Sequence, residues 1–381
     1  MLGELGEIAQ AELTPYITVM NVYLMYENVS DNLAIGLACP DPSDTSSSVR
    51  KQVVHDFNES MMARLAEPIP SAAKRIDLRG LAPLADGISL FRQSLAEDEH
   101  RLLSRAYLRE REPKGGVRVL EQDVIAPLQA NIESAAEVAR TVLPLPCGEL
   151  VRAGLIARYA AVNRLLSDDE RDLEENLRLG TDSILVYPTL AYYLAVVGDA
   201  LGLAPGFSRR SGDLPLQEGL RAAALIVRLL NDVGSLLLEI DDEPLAEVLR
   251  SVTESSRQER SARVALIAEA SQRGNLFTRI AKDIEFGEFN VCLDGVLSSG
   301  DPVAAVERFC ERLHDVRRSY RGAVKTLKAA SATINACTAG QAPLGDLLSR
   351  FVGFHQRMYA ESHRSTAGEY AVAQARGQAA G

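Results

Sequence analysis

Three features of this 381-residue chain predict an all-α fold. Long stretches place apolar residues three and four positions apart, the spacing that lines one face of a helix. Alternating apolar and polar runs bounded by turn pairs are almost missing, which argues against a sheet. Proline and glycine fall mostly between the periodic stretches and so punctuate helices. With no internal repeat visible, the reading is one large helical bundle over residues 1–381, of roughly ten or more helices.

In chain order, Pro15 to Ala34 reads as the first helix, PYITVMNVYLMYENVSDNLA. Cys39 to Ser48 is a loop rich in Pro, Asp and Ser. Val49 to Leu65 is helical and stops before EPIP. Leu84 to Glu112 is a long, charged amphipathic stretch closed by the turn PKGG. Val119 to Leu143 and Glu149 to Leu166 are two further helices, separated by PLPCG. Ser167 to Glu175 is a charge run in which Ser167 suits an N-cap, with acids in the turn behind it. Leu173 to Leu201 is long and apolar, interrupted at Gly180 and Pro188. Gly202 to Leu214 is a loop. Gln217 to Glu239 reads as one continuous helix. The stretch 240–285 is more polar. Phe286 to Val296, Asp301 to Ala330 and Leu344 to Glu361 are again helical, followed by a shorter tail.

Composition narrows the function. A hydrophobic share of 46% supplies a substantial core, and 24% charged residues is ordinary for a water-soluble chain. The net charge of −11 argues against general nucleic-acid binding, which needs basic surface to replace counterions. An acidic protein handling an anionic substrate needs local cations or metal to offset its own field. Five widely spaced cysteines, none in a C-x-x-C pair, argue against a disulfide framework or a zinc site and suit a reducing cytoplasm. The N-terminus lacks the basic region of a signal peptide. The apolar run Ile184 to Leu203 is interrupted by Pro188 and Asp199, so a buried helix is expected there and not a membrane span.

Chemistry concentrates in Ala222 to Glu239, AAALIVRLLNDVGSLLLE. On a continuous helix, Asn231, Ser235 and Glu239 stand at i, i+4 and i+8 and share one face. Three oxygen-bearing side chains in an apolar helix are costly unless paired, and a hard cation such as Mg²⁺ takes oxygen ligands. The same letters also suit a helix that ends in a few satisfied polar residues. A second candidate lies in LEENLRLGTDSILVYP, residues 173–188. There Arg178 stands among apolar residues, and Gly180, Thr181, Asp182 and Ser183 weaken the helix behind it; the same letters also suit an ordinary helix N-terminus capped by Thr181 or Asp182, with Arg178 on the surface.

The stretch Asn231 to Glu239 resembles the second metal motif of class I terpene synthases, N-D-x-x-S-x-x-x-E, at every specified letter. The resemblance implies an all-α bundle of the terpenoid synthase fold, with insertions around 38–84 and 241–285. It implies a Mg²⁺-dependent enzyme, with Mn²⁺ as a substitute. The enzyme would ionise and cyclise a linear prenyl diphosphate and release diphosphate. Asn231, Ser235 and Glu239 would be metal ligands. Arg178, roughly fifty residues upstream, would sense the diphosphate as a forked donor. The break after it, Gly180 to Ser183, would trigger ionisation, which makes Arg178 and Asp182 the catalytic candidates.

The family's first motif, D-D-x-x-D, has two competitors. Asp168-Asp169-Glu170-Arg171-Asp172 matches in letters but reads as a solvated helix start. Glu27 and Asp31, at the end of the apolar helix containing Tyr23-Leu24-Met25-Tyr26, are four apart and share a face. They are taken as the remaining metal ligands, with Glu and Asn in place of the two leading aspartates. Glu97 to His100 is a third option. The family's C-terminal Arg-Tyr pair has its counterpart in Tyr370, preceded by Glu369, with Arg364 or His363 supplying the charge from the preceding turn. Arg317, Arg318 and Tyr320 are alternatives, the arginines being read as surface residues of a helix.

Tyr187, Tyr192 and Tyr193 either line a pocket or pack in the core, and Tyr187 is taken as substrate-binding. The partner is then a prenyl diphosphate, with no nucleic acid and no stable membrane insertion; a homodimer is compatible. Two other readings stay open: a prenyltransferase-like enzyme of the same fold, and a non-catalytic helical protein.

Overall fold

The computed structural model describes residues 7–34, 37, 47–67, 117–167, 170–200, 214–259, 261–273, 276–297, 300–337 and 344–359. Among them there is no strand, as the apolar spacing predicts. The backbone divides into two compact units. One comprises residues 2–167 and 191–211, the other 168–190 and 212–381. They are called the N-terminal and C-terminal units below.

The N-terminal unit is built from α1 (Glu7–Ala34), α2 (Ser47–Ala66), α3 (Val117–Val142) and α4 (Gly148–Leu165). Helix α1 packs on α3, and α2 packs on α3 and α4. Leu13, Met20 and Tyr23 of α1 are buried against the interior, as are Phe57 and Met61 of α2, Leu128 and Ile132 of α3, and Leu155 and Tyr159 of α4. The apolar ones contribute ~1.5–3 kcal/mol each on burial. Helix α1 starts at Glu7 and not at Pro15 as expected; Pro15 lies inside it, at an exposed position. The stretch 84–112 and Glu97 to His100 lie outside the described residues.

The C-terminal unit contains α5 (Leu173–Ser183), the start of α6 (Val186–Ala200), α7 (Leu214–Asp232), α8 (Ser235–Glu239), α9 (Asp242–Ser256), α10 (Ala262–Arg273), α11 (Thr278–Phe286) and α12 (Pro302–Cys337). A last helix, α13, covers 344–359. Helix α7 buries Ala223, Ile226, Val227, Leu229 and Leu230 and lies along α12. The two approach closely at Gly219, where a Cβ would stand 2.9 Å from Ala330 Cβ and 3.1 Å from Leu348 Cδ1. Helix α5 packs against α7, and α9 and α10 pack against α12.

Four local expectations are corrected. Ser167 does not cap α5; its hydroxyl bonds the Arg164 carbonyl, and Asp172 caps α5 by accepting from Glu175 N at 2.7 Å. The helix break after Arg178 falls at Ile184 and Leu185, just past Gly180 to Ser183. Gly180 is a packing glycine: a Cβ there would meet Phe289 and Val291 side-chain atoms at 3.2 Å and Arg228 Cγ at 3.4 Å. Pro188 sits in the first turn of α6, where its missing N–H costs nothing. Residues 287–297 form turns and not a helix, because Gly287 ends α11 in the left-handed conformation at φ 62°. The fourth concerns Gln217 to Glu239, taken up with the site.

Among the described residues no single helix is long and apolar enough to cross a membrane; α5 and α6 together, bent between them, have the length and composition of a broken span.

Candidate functional site

The helix carrying Asn231, Ser235 and Glu239 is interrupted between α7 and α8. Gly234 takes φ 85° and ψ 153°, a region open to glycine alone, and starts the five-residue α8. Asn231 and Ser235 are half-buried and Glu239 is exposed. The three therefore do not stand on one continuous helical face. Substituting Gly234→Ala strains this conformation and is expected to destabilise the fold by ~1–3 kcal/mol. An equilibrium urea melt indistinguishable from wild type would show that the break is not held at Gly234.

The break follows from how the neighbouring backbone is satisfied. Interrupting a helix strands carbonyls that have lost their i+4 donor. Asn290 Nδ2 donates to the Asp232 carbonyl at 2.8 Å. The Asp232 side chain is fully buried and ion-pairs with Arg228 at 2.7 Å. Its Oδ2 accepts from Val291 N at 3.0 Å. Arg228 also donates to the Phe289 carbonyl at 2.6 Å. The turn segment 288–291 is thus tied to the end of α7 by three hydrogen bonds. Nothing in the letters N-D-V-G-S foretold this, since one of the partners of Asp232 comes from a segment 59 residues on.

A second buried carboxyl, Asp283 of α11, accepts from Asn290 at 2.7 Å. Burial pushes the pKa of both Asp232 and Asp283 up, and Asp283 the further, because Asp232 and Glu288 add negative charge beside it. Asp232 has Arg228 to stabilise its charge, which opposes its rise. A folded-state pKa above the unfolded value means the native state binds the extra proton. Stability is then fully present below the ordinary carboxylate range and falls as pH rises through the folded-state value. Asp283→Asn keeps an oxygen for Asn290 and removes the titration. It is expected to flatten this fall, measured as the urea midpoint from acid to neutral pH; an unchanged slope would assign the titration elsewhere.

Glu239 Oε1 accepts from the Tyr320 hydroxyl at 3.0 Å, and Gln356 donates to the same hydroxyl at 3.1 Å. Burial pushes Tyr320 up to about 12, so the hydroxyl keeps its proton at neutral pH. Arg317, expected on the surface, is 2% exposed. It donates to the Leu238 and Ile240 carbonyls at the end of α8 and to Asp242.

Arg178 and Asp182 lie on α5, whose start is anchored to the turn segment. Arg171 and Asn176 both donate to the Asp294 carboxylate, at 2.8 and 3.0 Å. The Arg178 side chain is 59% exposed and pairs with Asp182 at 3.6 Å. Burial raises the Asp182 pKa, and Arg221 of α7 and Arg178 oppose the rise. The structure thus brings α5, with Arg178 and Asp182, against α7 in one compact unit. Tyr187, at the start of α6, is half-buried in the same unit. Arg364 and Tyr370 lie outside the described residues, as do Asp168 and Asp169.

Glu27 and Asp31 belong to the N-terminal unit. Glu27 is 4% exposed and is enclosed by partners. Its Oε2 accepts from Tyr159 at 2.7 Å and from Asn131 at 2.9 Å, and its Oε1 pairs with Arg158. Arg158 also reaches the exposed Asp31 at 3.3 Å. Because the Tyr159 proton goes to Glu27, Tyr23 donates to Tyr159 across their 2.9 Å contact. Burial alone would lower the Arg158 pKa; Glu27, with the tyrosines and Asp31, more than offsets this and holds it above its ordinary value. Tyr192 is fully buried in this unit, donates to the Tyr16 carbonyl at 2.8 Å and stacks edge-on to Tyr193.

As a donor set, Asn231, Ser235 and Glu239 offer an amide, a hydroxyl and a carboxylate oxygen, the chemistry a hard cation takes. Only one of the three is a carboxylate. Among the described residues no three His, Cys, Asp or Glu side chains form a group able to hold a metal ion. Comparison with family models, curated proteins and solved structures gave no match.

Proposed function

We propose that this chain is a class I terpene synthase-like enzyme, which ionises and cyclises a linear prenyl diphosphate with release of diphosphate. The observation that carries the reading is the packing of α5 on α7. It sets the arginine of one motif and the asparagine of the other on adjacent helices of one unit. The all-α architecture agrees with a terpenoid synthase fold.

In this reading Asn231, Ser235 and Glu239 hold Mg²⁺, which supplies Lewis-acid charge for the departing diphosphate. Arg178 forks two N–H donors onto the diphosphate oxygens. Asp182 holds that guanidinium in the absence of substrate through the 3.6 Å pair. Arg221, close enough to influence Asp182, adds a second positive charge beside it.

The test is incubation of the full chain with geranyl, farnesyl, geranylgeranyl and geranylfarnesyl diphosphates plus Mg²⁺, with analysis of products and diphosphate. Diphosphate release with a cyclised hydrocarbon or alcohol is expected from one of them; release from none of them sinks the enzyme reading. The break at Gly234 favours a second reading, a non-catalytic helical protein, since it puts Asn231 on one helix and Ser235 and Glu239 on another. That reading requires that Mg²⁺ with inorganic pyrophosphate does not bind.

A further inference from the structure

Side chains from two helices form a directed chain that ends on Glu239. Gln356 of α13 donates to the Tyr320 oxygen, and the Tyr320 hydroxyl donates to Glu239 Oε1. An amide nitrogen has only protons to give. It therefore occupies the acceptor side of the tyrosine oxygen and leaves the phenolic proton for the carboxylate. Tyr320 is 5% exposed and anchored in α12, whereas Glu239 is exposed on a helix of five residues. So short a helix does little to fix a side chain, and its last turn is itself held by Arg317. Glu239 is thus oriented by α12 and α13, not by its own helix.

We propose that Tyr320, set by Gln356, is a positioning residue that orients the Glu239 carboxylate for a hard divalent cation. The proposal rests on the reading of Asn231, Ser235 and Glu239 as metal ligands. With Oε1 fixed by the Tyr320 hydroxyl, the second carboxylate oxygen is left for the ion. Partners that orient a metal-binding carboxylate in this way typically control about 10–100-fold of affinity.

The experiment is a titration of the full chain with Mn²⁺ in the presence of inorganic pyrophosphate, followed by electron paramagnetic resonance of the unbound ion. Tyr320→Phe removes one hydroxyl and is expected to weaken Mn²⁺ binding by about 10–100-fold. Gln356→Leu is expected to weaken it by less. Asn58→Ala, which breaks a part-buried hydrogen bond to Asn163 in the N-terminal unit, is expected to leave Mn²⁺ affinity unchanged while lowering the thermal midpoint. Wild-type affinity in both Tyr320→Phe and Gln356→Leu overturns the positioning role while leaving the metal site standing. Should Tyr320→Phe fail to fold, Gln356→Leu decides alone by the same criterion. Equal weakening in Asn58→Ala would reduce the effect to general destabilisation and overturn the role as well. If the wild-type chain binds no Mn²⁺ with pyrophosphate, the metal reading itself falls.

Discussion

Replacing Arg158 by leucine is expected to destabilise the protein by ~3–5 kcal/mol, the usual cost of leaving a buried charge without its partner. Glu27 is 4% exposed and Arg158 is 5% exposed. In the variant the carboxylate retains Tyr159 and Asn131 as donors but loses its cation. The loss should appear in equilibrium denaturation and as faster amide exchange in α1, α3 and α4. Replacing both residues together, Glu27→Met with Arg158→Met, should cost less than the sum of the single changes, because neither charge is then stranded. A cost below ~1 kcal/mol for Arg158→Leu would mean that the pair is exchanged for water in solution and is no buried keystone. The exposed Asp31 is expected to add little to the interaction.

Asn231→Ala and Glu239→Ala are expected to lower turnover of a prenyl diphosphate by ~100-fold or more each, beyond the 10–100-fold that groups behind a ligand control. The fold itself should hold, with changes near ~0.5 kcal/mol, since neither side chain is buried. Circular dichroism and a urea melt check the fold, and single-turnover kinetics with Mg²⁺ check the chemistry. Activity retained in both variants would show that the motif match is accidental. Asp232, in the same motif, should behave in the opposite way. Its carboxylate is committed to Arg228 and Val291 N inside the protein, so Asp232→Ala is expected to disrupt the fold first.

This contrast within one motif marks the border of what letters convey. Helix existence was legible because apolar spacing is a local property, and α2, α3, α4 and α12 begin and end within a few residues of their expected bounds except at the C-terminus of α12. The helix break at Gly234 was not legible. A lone glycine in an apolar helix is tolerated as often as not. What decided the break was Asn290 arriving at the Asp232 carbonyl from 58 residues away. For the same reason Phe286 to Val296 was misread as helix: the Phe289 carbonyl and the Val291 N–H turn toward α7 instead of along their own axis. Arg317 looked like a surface residue because neither charge nor spacing reveals that the carbonyls ending α8 need a donor.

The sequence by itself determined an all-α chain, the positions of several of its helices, a net negative charge, and the spacing of Asn231, Ser235 and Glu239. Those are properties of neighbours along the chain, set by side-chain period and composition. Only the tertiary structure decided that Glu27 is enclosed by Arg158, Tyr159 and Asn131, that Asp232 is structural, and that Glu239 takes its orientation from Tyr320 and Gln356. The physical reason is common to all three. A polar group in or beside a low-dielectric interior must be paired, and the residue that pairs with it is chosen by packing across the fold, where sequence distance carries no weight.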